Sequence, residues 1–193
     1  PPTAFQDTTV SNSHTRNTPT DSTSWLDEGE LAALNPDQDV LDWLTFEGLL
    51  TPRLRLHSAV PVSLEVLREE PIARRGENTD LLREVALSAG GERLVYALSW
   101  FPAEVISRNP WLKTLAQKPL GDALCSLPNV SRSNFEFQHI LAGEPRYERA
   151  VETSDERPSG LWARRSRFNL EGGSVLVEEV FLPGVFAGTT CPS

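Results

Sequence analysis

The chain of 193 residues contains few of the residues that usually carry redox or metal chemistry. It has two cysteines, three histidines and no methionine. Cys125 and Cys191 form neither a CxxC pair nor a disulfide framework. None of His14, His57 and His139 belongs to a metal-binding motif such as HExxH. We therefore expect no metal site, free thiols and a reducing, cytoplasmic compartment.

Further absences narrow the classes of function. No run approaches about 18 apolar residues, so membrane insertion is not expected. The phosphate-binding patterns GxGxxG and GxxxxGK[ST] are absent, so neither a nucleotide nor any other cofactor is expected. Acidic side chains outnumber basic ones by 27 to 18, a formal net charge of −9, which disfavours nucleic acid as a partner. A small anion still responds to local arginines, because distant charges are screened within about 10 Å.

The distribution of apolar residues predicts one folded domain between two polar ends. Residues 1–24 are mostly Thr, Ser, Asn, Pro and Asp, and are predicted to be a disordered tail because they cannot bury enough apolar surface. The domain is predicted to span residues 25–185, followed by a C-terminal tail over 186–193. We expect a monomer, since no coiled-coil pattern or apolar stripe is evident.

Hydrophobic periodicity predicts hairpins of strands with short helices between them. A helix is predicted over 36–50, ending at Thr51-Pro52 because the residue before proline disfavours the helical region. Residues 70–80 are predicted to be a polar connection, and 143–160 a long exposed loop. Together these elements predict an antiparallel α+β domain. The predicted strands are 60–66, 81–88, 93–101, 135–137, 161–170 and 175–182, and helical pieces within 103–127 begin at Pro110 and Pro119.

Charged residues fall on strand faces that are otherwise apolar. Alternation places Arg83 on the same strand face as Val85 and Leu87. Both faces of the last strand are largely apolar, so at least one of Glu178 and Glu179 is expected to be buried. A buried charge is costly unless it is paired or ligand-bound.

Two interpretations of these charges remain open. In one, Arg83 pairs with Glu179 or Glu84, or lies at a solvated sheet edge. In the other, a polar ligand pocket lies inside the sheet, with Arg83 at one end and Glu179 at the other. The predicted helix start at Leu120 offers free N–H groups that suit a carboxylate, which is a weak signal alone. The arginines of segment 161–167 (LWARRSR) are interpreted as solvated, since the acidic net charge disfavours a nucleic-acid patch.

Over about residues 36–184 the chain resembles the chorismate pyruvate-lyase family. The segments that carry the resemblance are 41–44 (LDWL), 82–85 (LREV), 118–121 (KPLG), 161–167 (LWARRSR) and 179–183 (EVFLP). It implies an antiparallel sheet whose helical flaps enclose an internal ligand. It also implies a cofactor-free lyase that converts chorismate into 4-hydroxybenzoate and pyruvate, for ubiquinone or plastoquinone biosynthesis.

The resemblance also implies the site residues. Arg83 corresponds to the arginine that binds the ring carboxylate, assisted by the backbone N–H groups of Leu50 and Leu120. Glu179 corresponds to the glutamate near the ring hydroxyl. The chain departs from some relatives at Leu98, where they carry Arg, and at Leu50, where they carry Met. Its loop 143–160 is longer than in the compact relatives.

Two rival functions are open beside the enzyme. One is an aromatic-acid-binding sensor, because the same fold resembles the ligand-binding domain of some bacterial transcription regulators. Residues 1–24 are too few and too polar for the DNA-binding domain of such a regulator. The other is a non-catalytic carrier of aromatic acids, which a turnover assay distinguishes from an enzyme.

Overall fold

A computed structural model of the protein describes residues 24–73 and 79–187. Seven strands form one antiparallel sheet in the order β1-β2-β3-β7-β6-β4, and β5 also pairs with β6. This architecture confirms the predicted antiparallel α+β class. The strands are β1 (Val62–Ala73), β2 (Thr79–Ala89), β3 (Glu92–Phe101), β4 (Ser131–Arg132), β5 (Glu136–Leu141), β6 (Gly160–Leu170) and β7 (Gly173–Phe181).

Six short α-helices and two 3₁₀ helices connect or cover the described strands. Within the described part of the chain, no helix is both long enough and apolar enough to span a membrane. The α-helices are α1 (Glu28–Ala33), α2 (Gln38–Leu44), α3 (Leu50–His57), α4 (Ala103–Arg108), α5 (Leu120–Cys125) and α6 (Pro145–Ala150), and the 3₁₀ helices are Pro110–Thr114 and Pro183–Val185.

The two predicted hairpins are present. Gly90 and Gly91 have φ angles of 60° and 88°, and Gly172 has a φ angle of 90°. Residues that carry a Cβ rarely adopt these backbone conformations, so glycine suits both tight turns. The hairpins pair β2 with β3 and β6 with β7. The pairing of β3 with β7 joins the two hairpins into one sheet.

The first strand is longer than predicted. Strand β1 continues to Ala73 and β2 begins at Thr79, so the prediction of a polar connection over 70–80 was wrong at both of its ends. Pro71 is tolerated because β1 is an edge strand. An irregularity between Val66 and Arg68 shifts the register of β1 against β2.

The predicted helix over 36–50 was also wrong in its extent. Helix α2 ends at Leu44, and α3 begins at Leu50 and contains Pro52 in its first turn. A proline there removes no helical hydrogen bond, since the first N–H groups of a helix have no partner within it. Thr51-Pro52 therefore lies at the start of a helix and not at an end.

The segment 143–160 is not a continuous exposed loop. It contains α6, and Tyr147, Ala150 and Val151 are buried. Helix α1 was not predicted, although Asp27 and Glu30 form a capping box at its start.

Helices α1, α2 and α3 contribute to the core on one face of the sheet, together with Leu87 and Phe181. Helix α6 covers the opposite face, where it packs near Tyr96 and Val180. The predicted tail over 1–24 lies outside the described residues except for Ser24. Phe186 packs against the first of these clusters.

Candidate functional site

A cavity lies between the sheet and the first turns of α3 and α5. Its empty space, including the part that opens to solvent, is about 530 Å³. The lining residues are Leu50, Thr51, Leu64, Arg83, Val85, Leu87, Ala97, Ser99, Lys118, Pro119, Leu120, Gly121, Asp122, Val177 and Glu179.

All four of the predicted site residues, Leu50, Arg83, Leu120 and Glu179, line this one cavity. The strand register explains how the two charged side chains share it. Arg83 on β2 is opposite Ser99 on β3, and Glu179 on β7 is opposite Ala97 on β3. From the usual strand spacing and rise, the two Cα atoms are about 12 Å apart.

Arg83 lies at one end of the cavity and is 3% exposed. Its Nη2 donates to the carbonyl of Ala116 at 2.5 Å and to that of Lys118 at 3.4 Å, and its Nη1 contacts Glu69 at 3.3 Å. Burial lowers the pKa of the guanidinium, and Glu69 acts in the opposite direction. Arg83 therefore pairs with neither Glu179 nor Glu84, and it is not at a solvated edge.

Glu179 lies at the other end, with its side chain 17% exposed. Its Oε2 accepts a hydrogen bond from Nε of Arg164 at 2.6 Å. Arg164 is 1% exposed, so the interpretation of the LWARRSR arginines as solvated was wrong for this residue. The alternation of β6 is a signal that the sequence analysis did not use. It places Arg164 on the same face of the strand as Trp162 and Ser166.

Leu50 and Leu120 bring helix starts to the cavity. Leu50 is the first residue of α3, and Leu120 is the first residue of α5. The N–H group of a first helical residue has no acceptor within its own helix, so it is available to another acceptor. Two such N–H groups and a guanidinium are donors that suit a carboxylate.

The opposite face of the sheet carries a second set of charges. Glu178 is 1% exposed, which confirms that at least one glutamate of the last strand is buried. Its Oε1 pairs with Arg146 at 2.8 Å, and Glu84 pairs with Arg149 at 2.7 Å, so α6 supplies both cations. Burial raises the pKa of the Glu178 carboxyl. Leu98 lies between Glu84 and Glu178 in the sheet, away from the cavity.

Residues 20–190 match the profile of the family described as chorismate lyase. The chain belongs to the chorismate lyase family. A probable chorismate pyruvate-lyase of Azoarcus sp. (strain BH72) is 35% identical over 184 residues, covering 86% of this chain and 94% of the relative. A probable chorismate pyruvate-lyase of Aromatoleum aromaticum is 37% identical over 158 residues, covering 74% of this chain and 84% of that one.

Two solved structures from Mycobacterium smegmatis have the same fold. The crystal structure of PhnF from Mycobacterium smegmatis superposes with a TM-score of 0.54 at 11% identity, covering 77% of this chain and 69% of that one. The crystal structure of the PhnF effector domain superposes with a TM-score of 0.51 at 11% identity, covering 71% of this chain and 90% of that one. At this identity the likeness shows the fold alone.

Proposed function

We propose that this protein is a chorismate pyruvate-lyase, which converts chorismate into 4-hydroxybenzoate and pyruvate without a cofactor. Family membership supports the proposal. The observation that carries it is the cavity with Arg83 at one end and Glu179 at the other. Between them in the sheet register lie the small side chains of Ala97 and Ser99. A para-substituted ring with a carboxylate and a hydroxyl matches these two ends.

The carboxylate end provides orientation. Arg83 would bind the ring carboxylate through a charge-assisted hydrogen bond, and the N–H groups of Leu50 and Leu120 would complete the set of donors. Glu69 and the substrate carboxylate would then share the guanidinium of Arg83. Because the ring carboxylate is retained in the product, this contact binds substrate and product alike.

The hydroxyl end lies next to the reacting atoms. In the reaction, the bond between the ring carbon and the ether oxygen breaks, the enolate of pyruvate leaves, and the ring loses a proton as it becomes aromatic. The enolate gains a proton to give pyruvate, so atoms and charge balance. Glu179 would accept a hydrogen bond from the ring hydroxyl and assist the proton movement. Aromatisation favours the products, so the protein mainly fixes the reactive conformation in a site shielded from water.

The experiment is to incubate the purified protein with chorismate, without added metal or nucleotide, and to quantify both products by chromatography. We expect 4-hydroxybenzoate and pyruvate in equal amounts. Absence of turnover would contradict the proposal. If 4-hydroxybenzoate nevertheless binds tightly by calorimetry, the sensor or carrier function is favoured.

The same proposal extends to the context of the reaction. The product 4-hydroxybenzoate would serve quinone biosynthesis, with ubiquinone or plastoquinone as the end product. A cytoplasmic monomer stays our prediction. An enclosed site that binds the retained carboxylate of the product also predicts slow product release, measurable as inhibition by 4-hydroxybenzoate.

A further inference from the structure

Arg164 is a buried arginine behind the cavity that the proposed reaction has not used. It is 1% exposed, and it does not belong to the lining residues of the cavity. Its Nε donates to Oε2 of Glu179 at 2.6 Å. Its Nη1 lies 3.2, 3.1 and 2.8 Å from the backbone carbonyls of Trp43, Leu44 and Phe46. One guanidinium therefore joins the carboxylate of Glu179 to the end of α2.

The carbonyls that Arg164 contacts lie just before the helix that begins at the cavity. Leu44 is the last residue of α2, and Leu50 is the first residue of α3. Phe135 and Phe181 flank the guanidinium, with its Cζ 4.2 and 5.4 Å from their ring centroids. These rings and carbonyls hold the guanidinium in one orientation, so Nε stays hydrogen-bonded to one of the two carboxylate oxygens of Glu179.

We infer that Arg164 is the positioning residue that orients the Glu179 carboxylate towards the substrate hydroxyl. With Oε2 held by Arg164, Oε1 is the oxygen that remains for the ligand. Removing both charges of a buried pair often leaves stability unchanged or improves it, so such a pair is weak evidence for a purely stabilising role. The inference rests on the proposed function for its biological meaning, but its test is a binding measurement that needs no turnover.

The geometry distinguishes arginine from lysine at this position. A guanidinium can donate from Nε and Nη1 in two directions at once, whereas an ammonium is a compact point charge. Arg164→Lys keeps the positive charge but cannot hold Glu179 and the α2 carbonyls together. We therefore expect Glu179 to lose its fixed orientation while the carboxylate end, with Arg83, stays intact.

The chain offers a matched control in the next residue. Arg165 is on the opposite face of β6 and pairs with Glu136 through Nε at 2.8 Å and Nη2 at 3.2 Å. Arg165→Lys therefore changes the same kind of ion pair in the same strand without touching Glu179. Glu136 is 45% exposed, so the control perturbs a pair nearer to solvent.

The readout is the preference of the protein for 4-hydroxybenzoate over benzoate, measured as two dissociation constants by calorimetry. The two ligands share the carboxylate and differ only in the hydroxyl. We expect Arg164→Lys to reduce this preference by about tenfold and to leave the affinity for benzoate close to that of the wild type. Arg165→Lys should change neither value. Arg164→Lys should also lower kcat for chorismate more than it changes KM.

A second variant and a double variant keep the test decisive. Arg164→Gln removes the buried cation, and the 17% exposed Glu179 can then be hydrated, so this variant serves if the lysine variant does not fold. In the Glu179→Gln background, Arg164→Lys should cause no further loss of preference. Equal weakening of both ligands, or additive effects in the double variant, would overturn the inference and leave Arg164 as a structural brace. Lack of turnover by the wild type would instead overturn the proposed function.

Discussion

At the scale of single residues, the proposed reaction requires Arg83 to be a donor for a carboxylate and not only half of an internal ion pair. The side chain of its partner Glu69 is 35% exposed. Two further contacts of Arg83 are with backbone carbonyls. Carbonyls do not neutralise the guanidinium, and Glu69, its carboxylate partner among the described residues, is accessible to water. The buried cation therefore keeps enough of its charge to attract an anionic ligand.

Replacing Arg83 with lysine tests the shape of this donor. We expect Arg83→Lys to weaken binding of benzoate by about tenfold or more, because an ammonium cannot present a planar pair of donors to a carboxylate. Calorimetry measures the dissociation constant. Arg93→Lys is the matched control, since Arg93 is 8% exposed and donates to the carbonyls of Arg149 and Ala150, away from the cavity. Equal affinities of wild type and Arg83→Lys would argue against the clamp.

Glu179 is expected to act on the rate. Glu179→Gln removes the negative charge next to the hydroxyl end and should lower kcat for chorismate by about tenfold or more. The variant should keep its fold, but its melting temperature should fall, because the buried cation of Arg164 loses its carboxylate partner. Glu178→Gln is the neighbouring control and should leave kcat unchanged, since its side chain is on the other face. An unchanged kcat in Glu179→Gln would remove Glu179 from the chemistry.

The sequence predicted which residues line the site better than it predicted their partners. Period-two alternation was enough to notice Arg83 and Glu179, because charge on an apolar strand face is unusual. Their partners, Glu69 and Arg164, depend on strand register. The shift between Val66 and Arg68 brings Glu69 opposite Arg83, and a one-residue slip would reverse its face.

At the scale of elements, the starts of α3 and α5 carry two further donors of the candidate site. Leu120→Pro tests the donor of α5, because proline suits the first helical position but has no N–H group. Leu120→Ala is the control, since it loses the same side chain and keeps the N–H group. We expect the proline variant to bind 4-hydroxybenzoate about fivefold or more weakly than the alanine variant, by calorimetry. Equal binding would show that this N–H group does not contact the carboxylate.

Helix α6 gives a prediction about pH. Burial raises the pKa of the Glu178 carboxyl above its ordinary value of 4.5, while Arg146 opposes that shift. The folded state therefore binds more protons at this residue than the unfolded state. The contribution of Glu178 to stability falls as the pH rises from 4.5 through the raised folded pKa.

The variant Glu178→Gln removes this dependence. We expect the stability of this variant, relative to that of the wild type, to increase as the pH rises above 4.5. Urea denaturation at a series of pH values measures both proteins. Parallel pH profiles would contradict a raised pKa for Glu178. Glu136→Gln is a suitable control, because that carboxyl is 45% exposed.

The errors at this scale have local causes. The prediction of a helix end at Pro52 fails because a proline in the first turn of a helix is also compatible with a helix start. The charged residues at the end of β1 were predicted to be a polar connection, because an edge strand that is half exposed carries many polar side chains. In segment 143–160 the arginines of α6 looked solvated, because their buried carboxylate partners, Glu84 and Glu178, are distant in sequence.

At the scale of the whole molecule, the sheet and its hairpins followed from alternation and glycine turns. The function did not follow from the fold, since the PhnF effector domain has the same fold at 11% identity. What separates an enzyme from a sensor is the chemistry at the ends of the cavity. Because the net charge is −9, we expect the proposed anionic substrate to be held by local donors and not by an attractive protein surface.

The most direct test compares kcat/KM for chorismate in the wild type and in Arg83→Ala, with both products quantified. Removing one partner of a buried charge interaction costs about 3–5 kcal/mol, so the variant should lose a factor of about a hundred or more. We expect a wild type that forms equal amounts of 4-hydroxybenzoate and pyruvate, and a folded Arg83→Ala that is nearly inactive. Equal kcat/KM in the two proteins, or no turnover by the wild type, would contradict the account.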